Sequence, residues 1–257
     1  KHGDDKVRLF VAQASGTLGT ILLIVTILGV IGSPVIAALF GTGWFIDWWQ
    51  GGENAEKFEL ASGLLKFTFP YLFFVSLVAL SGAVLNVYNR FAAAAFTPVL
   101  LNISIISCAI LLHDAFDVSA YALAIGVFVG GVTQLLFQIP FLLRIGMVNK
   151  PVFAWRSPEV TKVRKLMLPA MFGVSISQIN LLLDTIIASL LVTGSIAWLY
   201  YSDRLIEFPL GLFGIGIATV ILPALSKLHA TEKSEDFQST LDWGVRFVLF
   251  LGFPAMA

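Results

Sequence analysis

Five stretches of the chain carry no Asp, Glu, Lys or Arg at all: residues 15–40, 67–89, 91–112, 118–143 and 208–226. Each is near or above the roughly 18 to 20 residues that a helix, rising 1.5 Å per residue, needs to cross about 30 Å of hydrocarbon. Residues 166–191 form a sixth run, equally apolar apart from a polar stripe, and 247–257 begin another. The runs are continuous, without the period-two alternation of a barrel strand, and a backbone in lipid must satisfy its own hydrogen bonds, so they read as helices. The sequence therefore predicts an all-α integral membrane protein, a polytopic helix bundle with six complete crossings and one truncated crossing. Composition excludes a soluble fold: 58% of the 257 residues are hydrophobic and 12% charged, about half the charge of an ordinary soluble domain. The single cysteine, Cys108, permits no internal disulfide. The chain opens without an initiator Met and stops inside an apolar run, so it reads as an interior part of a longer protein.

Formal net charge is zero, so the information lies in where the charges fall. Assigning successive connections alternately to the two sides gives one side thirteen basic residues. They are Lys1, Lys6, Arg8 and Arg90, six from Arg144 to Lys165, and Lys227, Lys233 and Arg246. The other side receives three, Lys57, Lys66 and Arg204, among acids that include Asp47, Glu53, Glu59, Asp114 and Asp203. The positive-inside rule then places residues 1–10 in the cytoplasm. The basic, Pro-containing segment 149–165 reads as a cytoplasmic linker between residues 1–148, with four spans, and residues 166–257. The alternative is an ordinary cytoplasmic loop inside one bundle.

Nearly every span carries a proline: Pro34, Pro70, Pro98, Pro140, Pro169, Pro209, Pro223 and Pro254. Each removes a backbone donor, and broken helices suit a protein that changes shape, although Pro and Gly are common in membrane helices generally. Gly126 and Gly130, four apart, read as a close helix contact rather than a site.

Two places carry chemistry. In the run from Leu166, Gly173, Ser177, Asn180, Asp184 and Ala188 fall on one helical face. An ionised Asp inside a span must face protein or water, titrate, or bind a cation. Asp184 is accordingly a candidate cation ligand, with Ser177 and Asn180 as polar support on the same face. The alternative is a carboxylate hydrogen-bonded to a neighbouring helix. The second place is Tyr200-Tyr201-Ser202-Asp203-Arg204-Leu205-Ile206-Glu207-Phe208-Pro209, where Tyr200, Arg204, Glu207 and Gly211 share a face. A guanidinium fork suits phosphate or carboxylate oxygens; the alternative is an interfacial Arg that snorkels to the headgroups.

At these residues a resemblance becomes specific. Gly82-Ala83-Val84-Leu85-Asn86-Val87-Tyr88-Asn89-Arg90-Phe91, then Phe96-Thr97-Pro98 and Leu101-Asn102-Ile103-Ser104, resemble the fourth and fifth helices of the MurJ (MviN) lipid II flippases. Gly173-Val174-Ser175-Ile176-Ser177-Gln178-Ile179, residues 198–209, and Leu222-Pro223-Ala224-Leu225-Ser226 resemble the seventh and eighth. The resemblance implies a two-lobed exporter-type fold of fourteen helices, of which this chain covers about helices three to eight and part of nine. It implies a monomeric transporter in a bacterial inner membrane that moves lipid II, an undecaprenyl-pyrophosphate-linked disaccharide-peptide, between leaflets by alternating access. By position it makes Arg204, Glu207 and Tyr200 residues of a substrate cavity and Asp184 a ligand of a coupling sodium ion, with no cofactor and no nucleic-acid partner.

Three other classes remain. A sister polysaccharide-lipid flippase or multidrug antiporter would share the architecture. A membrane enzyme is disfavoured: no paired catalytic carboxylates or Gly-rich phosphate loop appear, and His2, His113 and His229 stand isolated. A scaffold would need neither a buried Asp nor a cavity Arg.

Overall fold

The apolar runs are helical in the computed structural model of the chain, which describes residues 2–52, 54–209, 211, 221, 225 and 234–255. Backbone contacts divide it into two units, Lys1–Leu190 and Leu191–Ala257. No strand occurs among the described residues. Among the described residues, five helical stretches in the first unit are long and apolar enough to cross a membrane: Lys6–Ile31, Ala55–Val87, Phe91–Leu111, Ala120–Arg144 and Pro158–Ser189. The expected crossing at 208–226 falls mostly outside the described residues, as do Pro223 and most of the motif at 222–226.

Boundaries differ from the uncharged runs for physical reasons. The first run is not one helix: α1 (His2–Ile31) starts among the N-terminal charges and stops at Ile31, and α2 (Ser33–Phe40) begins with Pro34 in its first turn. Proline is tolerated there because the first-turn N–H groups have no helical partner to lose. The turn at Gly41 leads into α3 (Thr42–Gln50). The second crossing is longer than its run. α4 (Ala55–Thr68) carries Glu56, Lys57, Glu59 and Lys66, and α5 (Tyr71–Val87) continues beyond a break at Pro70. Charged side chains reach solvent from the ends of a span, so a charge-free run is a lower bound on helix length.

A short α6 (Phe91–Ala95) precedes α7 (Thr97–Leu111), which pairs with α8 (Ala120–Arg144). The reading of Gly126 and Gly130 as a close contact holds. A Cβ at Gly126 would lie 2.8 Å from Ile105 Cα, and one at Gly130 would lie 2.6 Å from Leu101 Cδ1. Small residues let helix backbones approach where lipid supplies no hydrophobic drive. Gln134 Nε2 ties the pair together by donating to Thr97 O at 2.8 Å.

α5 and α8 both end in Schellman turns. Asn89, at φ 57°, donates its N–H to Asn86 O, and Arg90 N–H reaches Leu85 O at 2.8 Å. Gly146, at φ 70°, donates to Leu143 O while Met147 N–H reaches Leu142 O at 3.0 Å. The carbonyl-accepting residues Leu85 and Leu142 pack together with Ala93 and Met147 in one buried cluster. The same turns thus cap two helices and close the core between them.

α3 is aromatic. Phe45 stacks on Trp48 at 6.0 Å, Trp48 meets Phe58 of α4 at 5.2 Å, Trp49 lies 6.4 Å from Trp48, and Trp48 Nε1 donates to Glu59 Oε1 at 3.0 Å. The segment before the last helix of the unit runs along α1: Val152 N–H donates to Ala12 O and Ala154 N–H to Thr17 Oγ1, both at 2.9 Å. That helix, α9 (Pro158–Ser189), starts earlier than its apolar run because Ser157 caps it, accepting from Val160 N–H at 3.3 Å. Residues 158–165 of the basic segment are therefore its first two turns. In the second unit, α10 (Ser195–Pro209) and α11 (Ser234–Ala255) are described; α11 includes residues 247–255 of the expected truncated crossing. Arg246 pairs with Asp242 at 2.8 Å, one turn away.

Candidate functional site

α10 brings three of the expected residues together. Arg204 Nη1 donates to Glu207 Oε2 at 2.7 Å, three residues on, and the Arg204 guanidinium lies over the Tyr200 ring at 5.1 Å. Tyr200 in turn meets Tyr201 edge to face at 5.6 Å. Spacings of three and four residues on one helix dictate this geometry. Both charged side chains are 61% exposed, so the pair contributes little stability and its weight lies in orientation. The guanidinium rests on a ring and is held at one edge by a carboxylate, so its plane is set. Five N–H donors belong to that group, and the pair with Glu207 occupies one side of it. Among the described residues, no side chain or neighbouring backbone comes within 4 Å of where a Cβ on the expected neighbour Gly211 would sit.

Asp184 lies on α9, in the other unit, and is exposed, as are Ser177 and Asn180. Every residue from 165 to 181 is exposed, so nothing among the described residues covers the polar stripe except at its end, where Ala188 is buried. The nearby Thr185 hydroxyl is already committed to Leu181 O at 2.7 Å. No cluster of three or more His, Cys, Asp or Glu suited to a metal occurs among the described residues.

Sequence reading passed over two features. Gln134 and Gln138, one turn apart in an uncharged run, are 3% and 1% exposed, and the Oε1 atom of each is buried without a partner among the described residues. Two amides at helical spacing in an apolar stretch were the available signal. The other is the end of α9, where Gly43 N–H donates to Ser189 Oγ at 3.1 Å; a lone Gly and a lone Ser 146 residues apart carry no pattern.

Comparison with known proteins places these motifs in a family. The sequence model described as "Lipid II flippase MurJ" matches residues 1–257. A protein of Vibrio cholerae named as a probable lipid II flippase MurJ is 59% identical over 252 residues, covering 98% of this chain and 48% of the relative. One of Haemophilus influenzae with the same name is 59% identical over 262 residues, covering 99% and 51%. A solved structure titled as lipid II flippase MurJ in an inward closed conformation superposes with a TM-score of 0.74 at 27% identity, covering 98% of this chain and 50% of that one. The chain thus spans about half the length of the relatives it matches.

Proposed function

Because the chain belongs to the lipid II flippase MurJ family, we propose that it is the central portion of a transporter that moves lipid II from the cytoplasmic to the outer leaflet of a bacterial inner membrane. The observation that supports this most is the Tyr200–Arg204–Glu207 arrangement. It orients a planar cation in a segment rich in apolar helices, which suits the pyrophosphate of a lipid-linked headgroup.

In this reading Arg204 binds phosphate or peptide carboxylate oxygens through the donors that Glu207 leaves unspent, and Tyr200 fixes the guanidinium plane. The remaining cationic groups, and the cover for the bare face of α9, come from the half of the protein outside this chain. Asp184 supplies one anionic ligand to a coupling sodium ion, which shifts the balance of inward- and outward-facing states by its differential affinity for them. Residues 1–10 are cytoplasmic, and 149–165 divides the lobes of a monomeric protein. No covalent step is involved.

The test is rescue of a flippase-depleted bacterium by the full-length gene, together with lipid II translocation by the purified protein in vesicles. Rescue with lipid II movement that lipid II itself competes away is the expected result. Failure to rescue, with transport of a different polyprenyl-linked glycan, overturns lipid II as the substrate and leaves a sister flippase.

A further inference from the structure

The corner between α2 and α3 meets the end of α9 at one narrow point. Gly43 N–H donates to Ser189 Oγ at 3.1 Å, and that hydroxyl donates to Ile186 O at 2.7 Å, so Ser189 is engaged in both directions. A Cβ at position 43 would collide with the Ser189 carbonyl oxygen, so this approach is open to glycine alone. The corner is firmly built: Gly41 N–H donates to Ala37 O at 2.8 Å, and Thr42 Oγ1 lies 3.1 Å from both Ala38 O and Leu39 O. On the α9 side, Ala188 and Ser189 are 8% and 7% exposed, whereas every residue from 165 to 181 is exposed.

A long helix is therefore gripped at its end by one hydrogen bond and one patch of backbone contact. That is a small attachment, separable without unfolding either partner. Asp184 stands five residues before Ser189, about 7.5 Å along the helix axis, so the grip sits beside the candidate cation ligand. Both partners lie on the acidic side of the chain, each at the far end of an apolar run that starts from the basic side.

We propose that Gly43 and Ser189 form a latch, a positioning pair that holds the α2–α3 corner against the outer end of α9 while the outer side is closed and parts when it opens. This rests on the alternating-access reading above. Asp184 is then placed to sense the latch, since any movement of the end of α9 carries the carboxylate with it.

The experiment uses the full-length protein in intact cells, with Cys108→Ser and any other native cysteines removed. Ser189→Cys keeps a small side chain at the contact and reports its opening through an impermeant maleimide added outside, read as label per protein. Labelling should be slow with Gly43 in place and rise by about tenfold or more with Gly43→Ala, because the added Cβ excludes the latched geometry. Ile110→Ala, at an exposed position on α7, should leave it unchanged. Ser189→Ala removes the acceptor without adding an atom; with Thr42→Cys as reporter it should raise labelling by about threefold, the size of one lost hydrogen bond. That arm decides the matter if Gly43→Ala does not accumulate.

Equal labelling of Ser189→Cys with Gly43 and with Ala at that position, or access only after permeabilisation, overturns the latch. Labelling needs no substrate, so it separates the two readings. A shifted label without lipid II transport removes the substrate assignment alone, and normal transport with an unshifted label removes the latch alone.

Discussion

At Arg204 two physical roles make different demands on one side chain. An Arg that merely anchors a helix at the interface is replaced well by Lys, since a flexible ammonium snorkels as readily as a guanidinium. An Arg that grips oxyanions through a plane set by Tyr200 and Glu207 loses its bidentate geometry in Lys while keeping the charge. In the full-length protein, lipid II binding should fall about tenfold or more in Arg204→Ala and less in Arg204→Lys, at matched membrane levels. Equal binding by all three would remove the clamp. Asp184→Ala should weaken sodium-dependent conformational change, followed by fluorescence or spin-label distances, while leaving insertion intact, because the residue is exposed. An unchanged sodium response at normal expression removes the cation role. The grouping of Tyr200, Arg204 and Glu207 was legible in the sequence because three- and four-residue spacings on one helix are geometry. The Gly43–Ser189 contact was not, because it depends on how two distant segments cross.

Among the elements, the helices were legible and their ends less so. An uncharged run locates the hydrocarbon-crossing part of a helix, but Pro34, Pro70 and the Ser157 cap decide where each helix begins or breaks. The basic segment 149–165 reads as linker by composition, yet its second half is helix, because Lys and Arg are good helix formers and a capped Ser-Pro start favours them. The α7–α8 pair gives the clearest element-level prediction. Gly130→Leu would force a side chain into the space already held by Leu101, so it should lower stability by about 1–3 kcal/mol. Thermal unfolding of the purified full-length protein would show this, with Gly126→Ala falling less than Gly130→Leu. No change in either would mean that the two helices do not meet at these glycines.

For the molecule as a whole, charge asymmetry makes a claim about sides that can be checked directly. In a cysteine-free background, Gln50→Cys in the exposed end of α3 should react with an impermeant thiol reagent added to intact cells. Arg156→Cys, exposed before α9, should react only after permeabilisation. The reverse pattern would invert the orientation and with it the direction proposed for transport. The aromatic composition of α3 adds an optical consequence. Trp44, Trp48 and Trp49 are half of the six tryptophans in the chain, and all three sit in one nine-residue helix that starts at the latch. Trp48 and Trp49, 6.4 Å apart, are near enough to share excitation, and Trp48 is held by Glu59 through its indole nitrogen. Ultraviolet emission from this chain is therefore weighted toward a single corner, so a shift in its colour or polarisation on adding sodium would be a built-in, label-free record of that corner moving.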